Sequence, residues 1–295
     1  MTPVLPDAAA AYDQAAVLAR EVGARMAGRL DYMKLTPQRM ADIGCATGDG
    51  IRDLQTRYPK ALALAIDLAL PMLHGVRAPD HTNNSRWNRL LKRTPQLLNA
   101  DVRRLPLADN TLDLVWSNLM LHWLDDPLPA LREIHRVLNT SGLVMFATLG
   151  PDSLLELREA MEKVGAGDTA QRLEDASGKP SLRTARRFPD MHDIGDMLVA
   201  SGFADPVMDM EIITLTYRHP RQFLADQRHL GARDHLLGAQ TFRAWRQIFK
   251  AWSRDADGRL PLRFEIVYGH AWKPAARETA KRDADGNAII KFHPR

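Results

Sequence analysis

The sequence is poor in several features that would each point to a class of protein. Its 295 residues include a single cysteine, which excludes an intramolecular disulfide framework and a thiolate zinc cluster and fits a reducing, cytoplasmic compartment. No apolar run approaches the ~18 residues of a membrane span. The longest, Ala61–Ile66 and Leu143–Ala147, are strand-sized, so no membrane association is expected. Aromatic residues make up only 6% of the chain, with no interleaved aromatic stripe or separate RNA-binding module, so nucleic acid is not the expected partner. The chain also lacks a strong excess of either charge. Its 40 Lys and Arg stand against 36 Asp and Glu, a net +4, too small to select a partner by itself. The alanine-rich start carries Asp7, Asp13 and Glu21, which argues against a signal or transit peptide. What is present, 45% hydrophobic and 26% charged residues, describes a globular chain able to bury a sizeable core.

Apolar positions at spacings of three and four over 11–33 (Val17, Leu18, Val22, Met26, Leu30) predict an amphipathic helix interrupted at Gly23 and Gly28. Short apolar runs then alternate with helical patterns between 40 and 150. They end at Asp42-Ile43-Gly44, at Asp67, at Asp101 and at Leu112–Ser117, with a last strand at Leu143–Leu149 after a helix over Pro129–Leu138 and a stop at Asn139–Gly142. That alternation predicts an α/β protein with a mostly parallel sheet. Residues 79–95 are polar and basic and resemble a surface insertion. Further on, 153–164, 193–201 and 220–253 read as helical, and 207–217 and 264–272 as strands. The expected organisation is an N-terminal helical segment 1–38, a core 39–150, an insertion 151–190, and the rest of the sheet over 191–274 with its helical insertion 220–253, followed by a tail 275–295. Two Asp-Ala-Asp-Gly runs, Asp255–Gly258 and Asp283–Gly286, lack the other ligands of a calcium loop and read as turns. No metal is expected.

The chemistry concentrates in Asp42-Ile43-Gly44-Cys45-Ala46-Thr47-Gly48-Asp49-Gly50, between the first strand and its helix. Glycine serves there for a sharp turn and for close approach of a ligand to the backbone. Asp67 follows Gly44 by 23 residues at the end of the second strand, where a carboxylate accepts hydrogen bonds from both hydroxyls of a ribose. Asp101, at the end of the third, is placed to meet an adenine amino group. Dinucleotide fingerprints space their glycines G-x-G-x-x-G to admit a pyrophosphate. Here Gly44 and Gly48 are four apart, and Asp42 would repel an anion but favour a cationic amino-acid ligand, which selects S-adenosylmethionine over a nicotinamide dinucleotide. The lone Cys45 reads as a small buried residue.

Asp42–Gly48 resembles the first motif of class I S-adenosylmethionine-dependent methyltransferases, D-x-G-C-G-T-G, with Ala46 in place of its middle glycine. Trp116-Ser117-Asn118-Leu119, His122-Trp123, Thr148-Leu149, Glu156-Leu157, Leu230-Gly231-Ala232 and Tyr268–Trp272 resemble a narrower group, the malonyl-[acyl-carrier protein] O-methyltransferases of biotin synthesis. The resemblance covers most of the chain. It implies a Rossmann-like seven-stranded, mostly parallel sheet with helical lid insertions and S-adenosylmethionine as cofactor. Asp42, Gly44, Ala46, Gly48, Asp67, Asp101 and Asn118 would then be cofactor-binding. It also implies methylation of the malonyl carboxylate on an acidic carrier protein. Relatives of the same fold include a peptidyl-arginine hydroxylase that serves as an assembly factor, and methyltransferases acting on other small molecules or RNA. An ionised carboxylate needs no general base, so the acceptor-site candidates are positioning groups. They are Tyr12, as lid aromatic or core tyrosine; Ser117, Asn118, His122 and Trp123 after the fourth strand; and Arg228 and Arg233, as a carboxylate clamp or as solvated surface arginines. The basic run at 79–95 and Arg183, Arg186 and Arg187 are further candidates for meeting an acidic carrier. An alanine at position 46 is expected to fit only with a negative φ.

Overall fold

Strands that are buried on both faces read as nearly continuous apolar runs, and Met40-Ala41-Asp42-Ile43 and Ala63-Leu64-Ala65-Ile66 are of that kind. A computed structural model of the protein, describing residues 8–77, 94–164, 173–174, 180–181, 188–232, 237 and 240–275, places them at the centre of a seven-stranded sheet. Its strands are β1 (Arg39–Ile43), β2 (Leu62–Asp67), β3 (Gln96–Asn99), β4 (Leu112–Asn118), β5 (Leu138–Leu149), β6 (Ala204–Tyr217) and β7 (Leu260–Trp272), in the spatial order β3-β2-β1-β4-β5-β7-β6. The first five run parallel, and β7 and β6 are antiparallel to their neighbours. The order reverses between β1 and β4, and an open α/β sheet binds its ligand at the carboxyl ends beside such a point.

Helices cover both faces. On one side lie α2 (Val17–Arg29), α3 (Asp49–Arg57), α6 (Leu155–Lys163), α8 (Pro220–His229) and α9 (Phe242–Ala251), contributing Val22, Met26, Ile51, Leu54, Leu157, Phe223 and Trp245 to one apolar layer. On the other, α5 (Leu128–Val137) and α7 (Met191–Ala200) bury Leu131, Ile134, Ile194 and Leu198. Among the described residues the remaining α-helices are α1 (Ala8–Ala15) and α4 (Leu70–Arg77). Burying a Leu or Ile side chain contributes about 2 kcal/mol, so the two layers dominate stability.

Three expectations are corrected. The N-terminal helical run breaks at Ala16, between α1 and α2, and passes unbroken through Gly23 and Gly28. Gly23 is small because of a neighbour: a Cβ there would lie 3.1 Å from Asn118 Nδ2. The helix stops as expected, at Val137, but the strand after it starts earlier than Leu143: β5 begins at Leu138 directly after α5 and absorbs Asn139–Gly142, with Ser141 at φ 62°. The third strand ends at Asn99, two residues short of Asp101.

The N-terminal helix is fastened across the sheet to its antiparallel edge. Arg25 pairs with Glu211 (2.5 Å) and Arg29 with Asp209 (2.6 Å), while the Arg29 guanidinium lies 3.7 Å from the centre of the Tyr268 ring. Tyr268 donates its hydroxyl to Glu211 (2.5 Å). One exposed ion pair contributes little, but a connected set with a cation–π contact fixes the position of α2.

Candidate cofactor and acceptor site

The turn after β1 is built from left-handed residues: Gly44 at φ 77°, Ala46 at 45° and Gly48 at 90°. The expectation of a negative φ at Ala46 is therefore overturned. An L-residue costs roughly 1–2 kcal/mol there, and the surroundings impose it: the Gly44 and Cys45 amides donate to the Ile66 carbonyl (2.8 and 3.1 Å) and Gly48 N–H to Cys45 (2.8 Å). Ala46 N–H itself donates to Asp67 Oδ2 (2.9 Å). Gly44 is required by packing as well, since a Cβ would meet the Met120 side chain at 2.4 Å. Across the cleft, Leu119 at the end of β4 is also left-handed, at φ 52°. Such strain clusters at ligand sites.

Asp42 is only 2% exposed. Burial first, and then the Asp67 charge, push its carboxyl up to about 8, although the Ile51 amide of α3 opposes the shift. Asp67 takes Ala46 N–H on one oxygen and Ala69 N–H on the other (2.9 and 2.7 Å), and burial raises it despite them. Each of its oxygens keeps a lone pair for a further donor. Tyr12 of α1 completes the enclosure. Its phenol is pushed far up by burial and by the charges of Asp67, Asp49, Asp13 and Asp42, so it stands among four carboxylates. Asp13 accepts the Thr47 hydroxyl (2.5 Å), which ties α1 to the turn. A Cβ on Gly75 of α4 would lie 3.0 Å from the Ala9 Cβ, so α1 also rests closely on α4. At the end of β4, Asn118 donates to the Ala19 carbonyl of α2 (2.8 Å), while its Oδ1 is buried without a partner.

These residues fit S-adenosylmethionine on the molecule's own terms. A buried aspartate carrying its proton up to about pH 8 signals an acidic enclosure without a nearby cation, and a ligand with cationic sulfur and amino groups would supply one. The orphaned Asn118 oxygen adds a free acceptor for a donor on such a ligand.

The other predicted residues divide. Asp101 lies beyond β3 and is engaged by Arg103 (2.5 Å), whose hydrogen bonds hold its carboxyl below the usual range. The Ser117 hydroxyl is buried and donates to Ile43 O (2.9 Å), joining β4 to β1 instead of facing a ligand. Cys45 is buried and its thiol pushed far up by burial and by Asp42 and Asp67. His122 and Trp123 stand in a short 3₁₀ turn, their ring centres 5.6 Å apart, and the Phe188 ring lies edge-on to His122 with centres 5.8 Å apart. Trp123 also meets the segment after α8, its ring 3.9 Å from where a Gly231 Cβ would be. That brings it toward the segment preceded by Arg228, which is exposed in the last turn of α8. Arg233, Arg183, Arg186, Arg187 and the basic residues of the 79–95 run from Arg86 to Arg93 lie outside the described residues.

Sequence reasoning quoted Trp116 and Gly50 within motifs but missed that they pack together. A Cβ on Gly50 would lie 2.7 Å from Asp42 Oδ2 and 2.9 Å from Trp116 Nε1, so the start of α3 packs directly on both. The last glycine of the motif carried that signal. The clamp from α2 to β6 left no local trace in the sequence.

Comparison with known proteins agrees with this geometry. A family model described as a methyltransferase domain matches residues 41–146. The chain is 46% identical to the malonyl-[acyl-carrier protein] O-methyltransferase of Laribacter hongkongensis, over 97% of this chain and 93% of that one. It is likewise 46% identical to the protein of the same name from Gallionella capsiferriformans, over 96% and 92%. Among solved structures, the YcgJ protein of Bacillus subtilis shares the fold with a TM-score of 0.57 at 15% identity, over 86% of this chain and all of that one. With this identity over nearly its full length, the chain belongs to the malonyl-[acyl-carrier protein] O-methyltransferase family of class I S-adenosylmethionine-dependent methyltransferases.

Proposed function

We infer that this enzyme methylates the free carboxylate of a malonyl group carried as a thioester on an acyl carrier protein. The observation that carries the reading is a cluster of carboxylates around Tyr12 at the carboxyl ends of the strands, in a chain 46% identical over nearly its full length to proteins so named. When bound, S-adenosylmethionine supplies a methyl group on a cationic sulfur. The malonyl carboxylate is ionised at neutral pH, so no side chain has to remove a proton. The chain's task is placement and exclusion of water. Asp67 is assigned to the ribose hydroxyls, Asp42 to the cationic end of the cofactor, and Asn118 and the backbone of Gly44, Ala46 and Gly48 to the cofactor's remaining polar groups. Asp101, held by Arg103, is the candidate for the adenine amino group.

With the cofactor bound, a carboxylate oxygen would take its methyl group, the O–C bond forming as the C–S bond breaks and its electron pair stays on sulfur. Opposite charges thereby become a neutral ester and a neutral thioether, a change that a dry enclosure favours. Tyr12, on the helix that covers the cleft, is assigned to that enclosure, with His122 and Trp123 forming the acceptor wall. Arg228, with Arg233, would hold the carboxylate in line through its planar fork, and positioning of this kind removes much of the entropic barrier. Intact-mass measurement of malonyl-carrier protein after incubation with the enzyme and cofactor tests the reading. The expected product is heavier by one methylene. No gain at saturating cofactor sinks the reading, and a gain of one oxygen on an arginine substrate would favour the hydroxylase relatives instead.

A further inference from the structure

Strands β6 and β7 are antiparallel neighbours, a pairing that a two-residue turn can close. Residues 218–259 intervene instead and supply α8 and α9, so joining the two strands does not require them. This insertion carries nine Lys or Arg against four Asp or Glu. Its excess of five exceeds the +4 of the whole chain, leaving the remainder net acidic by one.

Several arginines elsewhere are paired: Arg25 with Glu211, Arg29 with Asp209, Arg57 with Asp31, and Arg136 with Glu133 and Asp109. On α9 they are not. Arg243, Arg246 and Lys250 recur at spacings of three and four on its exposed side, opposite the buried Trp245 and Ile248. None of the three makes an ion pair or side-chain hydrogen bond with another described residue. Arg243 stands in the first turn of α9, where the helix dipole disfavours a cation, so helix stability does not account for it. Beside it Phe242 is 86% exposed. Arginine with a large exposed aromatic is the composition of interface anchors. Through its buried side, opposite this face, α9 packs on α8, whose carboxyl end leads to the candidate acceptor residue Trp123. Phe223 of α8 packs edge-on against Trp245 and Trp252, with ring centres 6.1 and 5.3 Å apart, and the chain leaving α8 meets Trp123 at Gly231.

We propose that the exposed face of α9, formed by Phe242, Arg243, Arg246 and Lys250, is the docking surface for the acidic carrier protein that presents the thioester. The proposal rests on the function inferred above, and its test separates the two. Binding of fluorescently labelled malonyl-carrier protein is measured by anisotropy for the full-length enzyme and for the triple variant Arg243→Glu, Arg246→Glu, Lys250→Glu. The variant should bind roughly tenfold more weakly and show a KM for malonyl-carrier protein raised to match, since charges at an interface rim act on encounter. Turnover of malonyl-coenzyme A and binding of S-adenosylmethionine should be unchanged. Unchanged affinity and KM for the carrier protein would overturn the proposal, as would a native enzyme that binds no carrier protein. A native enzyme that binds the carrier protein through α9 but forms no methyl ester would refute the proposed reaction and leave the docking face standing. If the triple variant loses cofactor binding through misfolding, Phe242→Ala, at an exposed position, reads the same contact and should weaken carrier binding roughly threefold; no change there overturns the proposal. Binding to vesicles of equal phosphatidylglycerol and phosphatidylcholine that the triple variant loses, with carrier affinity intact, would assign the face to anionic lipid and likewise overturn it.

Discussion

Replacing Asp42 by asparagine should stabilise the cofactor-free protein in alkaline buffer while weakening its hold on S-adenosylmethionine. Asp42 is buried, receives the Ile51 amide, and is disfavoured as an anion first by burial and then by Asp67, Asp49 and Asp53. Its carboxyl titrates at about 8, against 3.8 ordinarily. The folded chain therefore retains a proton that the unfolded chain has already lost. This group's contribution to stability is full below the unfolded value, falls as pH rises through that window, and levels off above the folded value. About four pH units at 1.36 kcal/mol each set the accumulated penalty at on the order of 5 kcal/mol. Asparagine keeps the shape and the acceptor for Ile51 but carries no charge. A gain of a few kcal/mol at about pH 8.5 would raise Tm by roughly 5–10 °C for a chain of this size.

Binding should move the other way. A cationic ligand favours ionised Asp42, so native affinity should rise with pH until about 8, at most about tenfold per unit. The asparagine variant should bind more weakly and show a flat profile. Thermal melts and calorimetric titrations from about pH 6 to pH 9 read both effects. Identical pH profiles of Tm for the two proteins, or a native affinity independent of pH, would refute the argument.

Ala46→Gly relieves the φ of 45° and should add about 1 kcal/mol of stability, read by denaturant unfolding; a loss would show that the Ala46 methyl makes contacts outweighing its strain. Asp67→Ala should weaken S-adenosylmethionine at least roughly tenfold by calorimetry, and unchanged affinity would remove the ribose assignment. Gly23→Ala would ordinarily stabilise a helix by about 1 kcal/mol. Here the new methyl lies 3.1 Å from Asn118 Nδ2, so melts should show no gain and titration should show weaker cofactor binding. Arg228→Ala should raise KM for the malonyl substrate with S-adenosylmethionine affinity intact, and an unchanged KM would leave the clamp to other residues.

The parallel half of the fold was legible because β1, β2, β4 and β5 are short apolar runs whose carboxyl ends carry the chemistry, Asp42 and Asp67 included. The residues proposed for the donor site stood out for the same reason. What escaped depends on neighbours distant in sequence. Gly23 looked like a helix break, and only Asn118, in another layer, shows that it marks close packing. Ala46 looked incompatible with a glycine's conformation, but the Ile66 carbonyl and the Asp67 carboxylate hold it there. Ser117 read as a candidate for the acceptor wall, whereas the pleat of β4 turns its hydroxyl onto Ile43. The seam between α2 and β6 joins residues 186 positions apart, Arg25 and Glu211, a pairing that no local periodicity encodes.

The most direct test of the account follows the methyl group itself. With S-adenosylmethionine labelled with carbon-13 in its methyl, and malonyl-carrier protein as acceptor, nuclear magnetic resonance of the product should show the label as the methoxy of a malonyl ester, in amounts equal to the S-adenosylhomocysteine formed. Label on nitrogen or on the malonyl methylene carbon, or cofactor consumed without label in the product, would contradict it.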